Sequence, residues 1–266
     1  MLRQLLILPL LVRMDVKAQM EYRGAFWLDR FAQILTYGSS FAVIWLLVSR
    51  FGVLAGWNWP DLALLFAFQL LGYSIGASVS FTQFRDLEEK VRLGTLDVLL
   101  VKPFSLWAYL VFSGLNIGYV GHIALALGVM AWTLFFVDIN WSIGAVLYLL
   151  AALVSATLVT ASLLTMIGAS AMIWTRSNHL FSIFFGVWEL TRYPLDIFPA
   201  GIQTVLLTIV PLGFTSAVPV AVLLGKHVPL LGDWAMPLSL LAGPLLTLVA
   251  IVHWRNAVNK YQGAGG

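Results

Sequence analysis

Six stretches of this chain are apolar for long enough to cross a lipid bilayer, near residues 31–50, 62–83, 108–136, 143–174, 178–194 and 237–254. A helix needs about 20 mostly apolar residues to span the hydrocarbon core. Backbone at that depth must satisfy its own hydrogen bonds, so the expected spans are helices. Composition agrees: 61% of the residues are hydrophobic and 10% charged, with a mean hydropathy of +0.92, against about 25% charged residues in a soluble domain. The chain reads as one all-α integral membrane domain over residues 1–266, with no stretch that looks like a folded soluble unit. A seventh apolar tract, 199–225, is interrupted by Pro211, Gly213 and Pro219. It predicts two short helices dipping into the outer leaflet rather than a straight span.

A formal net charge of +3 could suit nucleic acid, but the basic residues sort by side. With a cytoplasmic N-terminus, Arg3, Arg13, Lys17, Arg23, Arg30, Arg85, Lys90, Arg92, Lys102, Arg176, Arg255 and Lys260 fall inside, and only Arg50, Arg192 and Lys226 fall outside. This positive-inside bias puts both termini and the 85–103 segment in the cytoplasm of a multi-pass inner (plasma) membrane protein, with no nucleic-acid partner. The opening MLRQLLILPLLVRMDVKAQ has Arg3 ahead of an apolar run, as a signal peptide would. The run is short, contains Pro9 and leads into charges, so it is expected to be retained. Residues 1–30 then form an interfacial lead-in before the chain turns in at Phe31. With no cysteine, disulfides and thiolate metal sites are excluded.

Trp57, Trp59, Trp141 and Trp234 stand at expected outer boundaries, where an indole keeps its ring in the acyl region and its N–H in water. The fourth span carries Ser155, Thr157, Thr160, Ser162, Thr165, Gly168 and Ser170, and Ala152, Ala156 and Thr160 recur every fourth residue. Such a stripe lets another helix approach closely; lining a substrate route is the alternative use.

Six charges crowd between Arg85 and Arg92, then Gly94, then a Leu-rich run closed by Pro103. Asp86 with Lys90 and Glu88 with Arg92 are spaced i, i+4 with the acid first, the favourable order on a helix. The spacing predicts a short charged helix over 85–93, ended by Gly94 in a positive-φ position, with Thr95 as the cap of the next helical turn. A connection between two spans needs only a few residues. This one is structured and charge-balanced, which suits a docking surface for another protein.

The motif R-x-G-T-L-D-x-L-L-V-K-P at 92–103, Y-P-L-D-I-F-P at 193–199 and I-V-P-L-G-F at 209–214 resemble the ATP-binding-cassette type 2 permeases, in the branch of six-span exporters, from about residue 20 to 260. The resemblance implies a type V exporter-like fold: an elbow helix within 1–30, six spans, a coupling helix in the 85–103 segment between spans two and three, and a broken re-entrant pair at 199–225 between spans five and six. It also implies a separate cytoplasmic ATPase, so that ATP and Mg are used by that partner, and a second permease, identical or related, within the lipid. It carries the ATPase-coupling role onto Arg85, Asp86, Glu88, Glu89, Arg92 and Gly94, with Arg176 to His179 as a second contact. The residues agree that the chain is no enzyme itself. The one Gly-Lys pair, Gly225-Lys226, lacks the first glycine (Val220) and the Ser or Thr (His227) of a phosphate loop.

Charge inside a bilayer costs several kcal/mol unless partnered. Glu189 and Arg192, three apart near the outer end of span five, can form an ion pair, structural or acting as a gate or head-group contact. His122 in span three reads as a hydrogen-bonded interhelical residue rather than a metal ligand, having no second ligand at suitable spacing. A secondary transporter would show more intramembrane acids and an inverted repeat. A membrane enzyme would need a nucleophile with its base, and Gly76-Ala77-Ser78 and Gly168-Ala169-Ser170 lack the second glycine of a serine elbow. A secondary transporter and an assembly subunit remain the alternatives.

Overall fold

The computed structural model describes residues 13–263 apart from 15, 16, 19, 22 and 104. The described residues hold helices and turns and no β-strand. The long helices are α1 (Arg23–Phe51), α2 (Trp59–Ser78), α7 (Val120–Thr133), α8 (Ile143–Ala169) and α13 (Ala235–Lys260). Short ones lie between them: α3 (Phe81–Arg85), α4 (Leu87–Arg92), α5 (Thr95–Leu100), α6 (Leu106–Ser113), α9 (Ala171–Trp174), α10 (Asn178–Leu190), α11 (Ala200–Thr204) and α12 (Ala217–Leu223).

Among the described residues, four helical runs are long and apolar enough to cross a membrane: Trp27–Arg50, Trp59–Ser78, Ile143–Trp174 and Gly232–Lys260. A fifth crossing results if Leu106–Ser113 and Ile117–Thr133, which meet at 49°, count as one bent span. The break has a local cause, because the Asn116 N–H donates to the Ser78 carbonyl while its side-chain oxygen accepts from Gly118 N–H. Six straight spans are therefore not what the helices form. The window at 178–194 holds a helix of 13 residues, which rises about 20 Å against a hydrocarbon core of about 30 Å. Pro194 helps to stop it, since a residue before proline is pushed out of α geometry.

The expected turn at Phe31 falls inside α1, which runs unbroken from Arg23 to Phe51. Its internal charges need not end it: Arg30 pairs with Asp29 at 2.6 Å, and Gln33 donates to the same carboxylate at 2.8 Å. The first twelve residues of the expected elbow lie outside the described ones.

At the centre stands α2, buried along almost its whole length against α7 and α8. It begins with a capping box, in which Asn58 accepts from the Asp61 N–H and the Asp61 carboxylate accepts from the Asn58 N–H. The small-residue stripe of α8 is used for packing. Ala152, Ala156 and Thr160 are fully buried, with Gly72 and Gly76 of α2 lying against Ala156 and Thr160. Its hydroxyls tie α8 to α13: Ser155 donates to the Ser239 carbonyl at 2.6 Å and accepts from Gly243 N–H at 3.0 Å, and Ser162 meets Thr247 at 3.1 Å. Hydroxyls in an apolar bundle bond across helices because no water competes for them.

The tract after α10 is broken twice. α11 runs on as a π-helical turn, Val205–Ile209, the chain bends at Pro211 into a 3-10 turn, Leu212–Thr215, and α12 follows. Leu206, Leu212, Thr215, Ser216 and Val218 are buried here, so this irregular backbone is covered by protein, the condition under which it survives at membrane depth.

Candidate functional site

The charged segment is built as two short helices on a buried seam. Leu87, Val91 and Leu96 are buried, and this seam seats α4 against α8 and α9. Arg85, Asp86, Glu89 and Arg92 are exposed on the opposite side, with Glu88 and Lys90 half-buried. Arg85 also lies over the Phe81 ring, 5.7 Å from its centroid. Gly94, at φ 68°, turns the chain from α4 into α5, a conformation that costs other L-residues. Thr95 does not cap α5: its hydroxyl donates back to the Lys90 carbonyl at 3.3 Å, closing the end of α4. Ahead of α4, Phe84 of α3 is fully buried, lies edge-on to Trp254 at 5.6 Å and crosses α8 at Gly168. A cleft of about 560 Å³ opens beside this element, lined by Gln83, Asp86, Lys90, Tyr109 and Asn116. Near Asp97 of α5, burial and then the Asp97 carboxylate push the Tyr261 phenol up.

The i, i+4 pairs expected on this helix are not among the ion pairs of the described residues. Glu88 has better partners, because its Oε2 accepts from the backbone N–H of Ser177 at 2.5 Å and of Asn178 at 2.6 Å. These donors stand at the start of α10, where backbone N–H groups have no partner within their own helix, and a carboxylate there is favoured by both hydrogen bonding and the helix dipole. The structure thus joins two of the sequence-derived contacts, 85–94 and 176–179, through one side chain. Arg176 and His179 flank the junction and are exposed.

At the other end of α10, Glu189 and Arg192 form a two-point ion pair, with both N–O separations 2.7 Å. The arginine is the anchored partner: it is 13% exposed against 52% for the glutamate, donates to Ser40 of α1 at 3.2 Å and lies over the Trp188 ring. Beside it, Gln69 of α2 donates to the Trp188 carbonyl at 2.8 Å and to the Thr191 hydroxyl at 2.7 Å. The Ser216 hydroxyl donates to the Thr191 carbonyl at 2.8 Å. His122 meets Tyr37 and Tyr119 ring to ring, at 4.5 and 5.3 Å, rather than through the hydrogen bond expected of it.

Sequence reasoning missed the ion pair of Lys226 with Asp61. Lys226 reaches the buried Asp61 at 3.1 Å, donates to the Gly56 carbonyl at 2.9 Å and lies 5.3 Å from the centroid of Trp57. Trp57 is 2% exposed, so it is part of this clamp and not a belt residue. The signal available was Asn58-Trp59-Pro60-Asp61, the pattern of a capped helix start. Trp59 is half-buried between Phe41 and Trp132, whereas Trp141 and Trp234 are exposed. A model of the family described as ABC-2 family transporter protein matches residues 34–265 of the chain. No curated protein matches it.

Proposed function

The chain belongs to the ABC-2 transporter family, and from that premise we propose that it is the permease subunit of an exporter whose ATPase is a separate chain. The observation that carries the reading is the α3–α5 element. Its apolar seam of Leu87, Val91 and Leu96 is held in the bundle, while Arg85, Asp86, Glu89 and Arg92 face outward with both signs of charge interspersed. A mixed-charge helix face anchored from behind suits a partner of complementary pattern, which such charges select and orient. The open cleft beside Asp86 and Lys90 would admit a side chain projecting from that partner.

In this reading the 85–103 segment and both termini are cytoplasmic, the positive-inside bias supporting that orientation. α10 and the turn after it, with the broken tract over 199–225, complete a sixth, irregular crossing. The ATPase subunits bind ATP and Mg, close, and push α4. The push tilts the helices and alternates access to a route at the interface with a second permease, since one unit supplies half of such a route.

Glu89→Lys combined with Arg92→Glu tests the coupling assignment, because both side chains are exposed and neither has a role inside the bundle. The expected result is loss of co-purification with the ATPase at unchanged thermal stability of the permease. A reversed pair that still binds and activates the ATPase would contradict the assignment.

A further inference from the structure

Glu88 differs from its charged neighbours because its carboxylate holds two backbone amides of another helix. Its carboxylate is committed to the Ser177 and Asn178 amides, 89 and 90 residues away. We infer that Glu88 is a positioning residue that yokes α4 to the start of α10, so that a push received on α4 moves α10 as a strut and is delivered at its far end. This inference rests on the reading of α4 as the ATPase contact.

The far end is built to receive such movement. α10 is one uninterrupted helix of 13 residues, stiff over a rise of about 20 Å. Where it ends, three separate elements hold it through side chains: α1 through Ser40 to Arg192, α2 through Gln69 to Trp188 and Thr191, and the segment before α12 through Ser216 to Thr191. Gln69, Thr191 and Ser216 are fully buried, where hydrogen bonds meet no competition from water and hold their geometry. One flank of the helix is buried through Phe181, Phe184 and Trp188, while Ile183 is exposed. The same helix therefore links the charged element at one end to the proline-broken tract at the other. An ordinary cap would stabilise the start of α10 and do no more; a yoke also fixes the spacing of α4 and α10 while the protein changes state.

The chain has no cysteine, so spin labels can be placed at will in the complex with its ATPase. One pair goes on Leu93 and Ile183, exposed positions on the α4 turn and on α10; a second pair goes on Ile197 and Trp234, exposed beyond the far end of α10. Distances are measured nucleotide-free and after trapping with ATP and vanadate. The expected result is a Leu93–Ile183 distance that stays narrow and unchanged between the two states while the Ile197–Trp234 distance shifts. Glu88→Gln, whose amide oxygen can still accept, keeps this pattern. Glu88→Ala, measured in complexes shown by co-purification to hold the ATPase, broadens the first distance and abolishes the shift in the second. A first distance that changes on trapping in the unsubstituted yoke, or a far-end shift that survives Glu88→Ala, overturns the inference and leaves the ATPase contact standing. Failure of the ATPase to bind the unsubstituted permease would remove the functional reading itself, and the yoke with it.

Discussion

A single methyl group at Gly168 should loosen the charged element from the bundle. At this position α3 lies directly on α8, and a Cβ would stand 2.5 Å from Phe84 Cβ, 2.5 Å from the Phe84 carbonyl oxygen and 2.9 Å from its carbonyl carbon. Carbon atoms pack best at about 3.5–4.0 Å, so α3 must retreat by about 1 Å. Two of the three obstructing atoms are backbone, and Phe84 is fully buried, so no rotamer change relieves the clash. Overpacking of this kind costs about 1–3 kcal/mol. Exchanging glycine for alanine inside a helix returns about 1 kcal/mol, which leaves Gly168→Ala destabilised by about 0–2 kcal/mol and Gly128→Ala, with no clash, more stable than it. Gly128 of α7 is the internal control, since beyond its own stretch of helix no atom of the described residues lies within 4 Å of the place its added methyl would take, and Gly128→Ala should hold or raise stability. Both variants are compared by thermal unfolding in detergent, alone and with the ATPase. Because α3 leads straight into α4, Gly168→Ala should also weaken ATPase coupling. If Gly168→Ala is as stable as Gly128→Ala, propensity alone governs the site and the close approach of α3 to α8 is refuted.

Lys226→Met leaves the Asp61 carboxylate buried without its cation and should cost about 2 kcal/mol, read as a lower melting temperature; adding Asp61→Asn should recover part of that loss. In the Glu189–Arg192 pair the arginine has the further contacts to Ser40 and Trp188, so Arg192→Ala should destabilise more than Glu189→Ala, which leaves those two contacts in place. A charge swap should restore little of the loss, because a glutamate at 192 cannot donate to Ser40. Gly94→Ala forces a methyl into left-handed backbone and should cost about 1–2 kcal/mol, with proteolysis of the α4–α5 turn as a local readout.

Features that depend on neighbours along the chain are legible in the sequence. The apolar windows mark the membrane helices, Gly94 marks the turn between α4 and α5, and Pro211 and Pro219 mark the broken tract, because each acts through its own backbone or hydropathy. Side-chain partners are another matter. Glu88 and Arg92 have the right spacing for a pair, yet the amides at the start of α10 are unsatisfied donors and have a stronger claim on the carboxylate; nothing local to either residue tells of a contact 89 positions away. Trp57 reads as a belt residue because its position in the chain is at a boundary, and only the fold brings Lys226 over its ring. The shortness of α10 and the bend before α7 escape the sequence for the opposite reason. Hydropathy records what can sit in lipid, not where a helix stops, and both stops come from hydrogen bonds and a proline that an apolar count ignores.

The coupling role of the charged element is tested most directly by a single cysteine in place of Glu89, in a chain that otherwise has none, probed with a membrane-impermeant thiol reagent. Labelling is expected in inside-out vesicles but not in intact cells, with protection when the ATPase is bound. Labelling in intact cells, or labelling of inside-out vesicles that the ATPase does not diminish, would contradict that role.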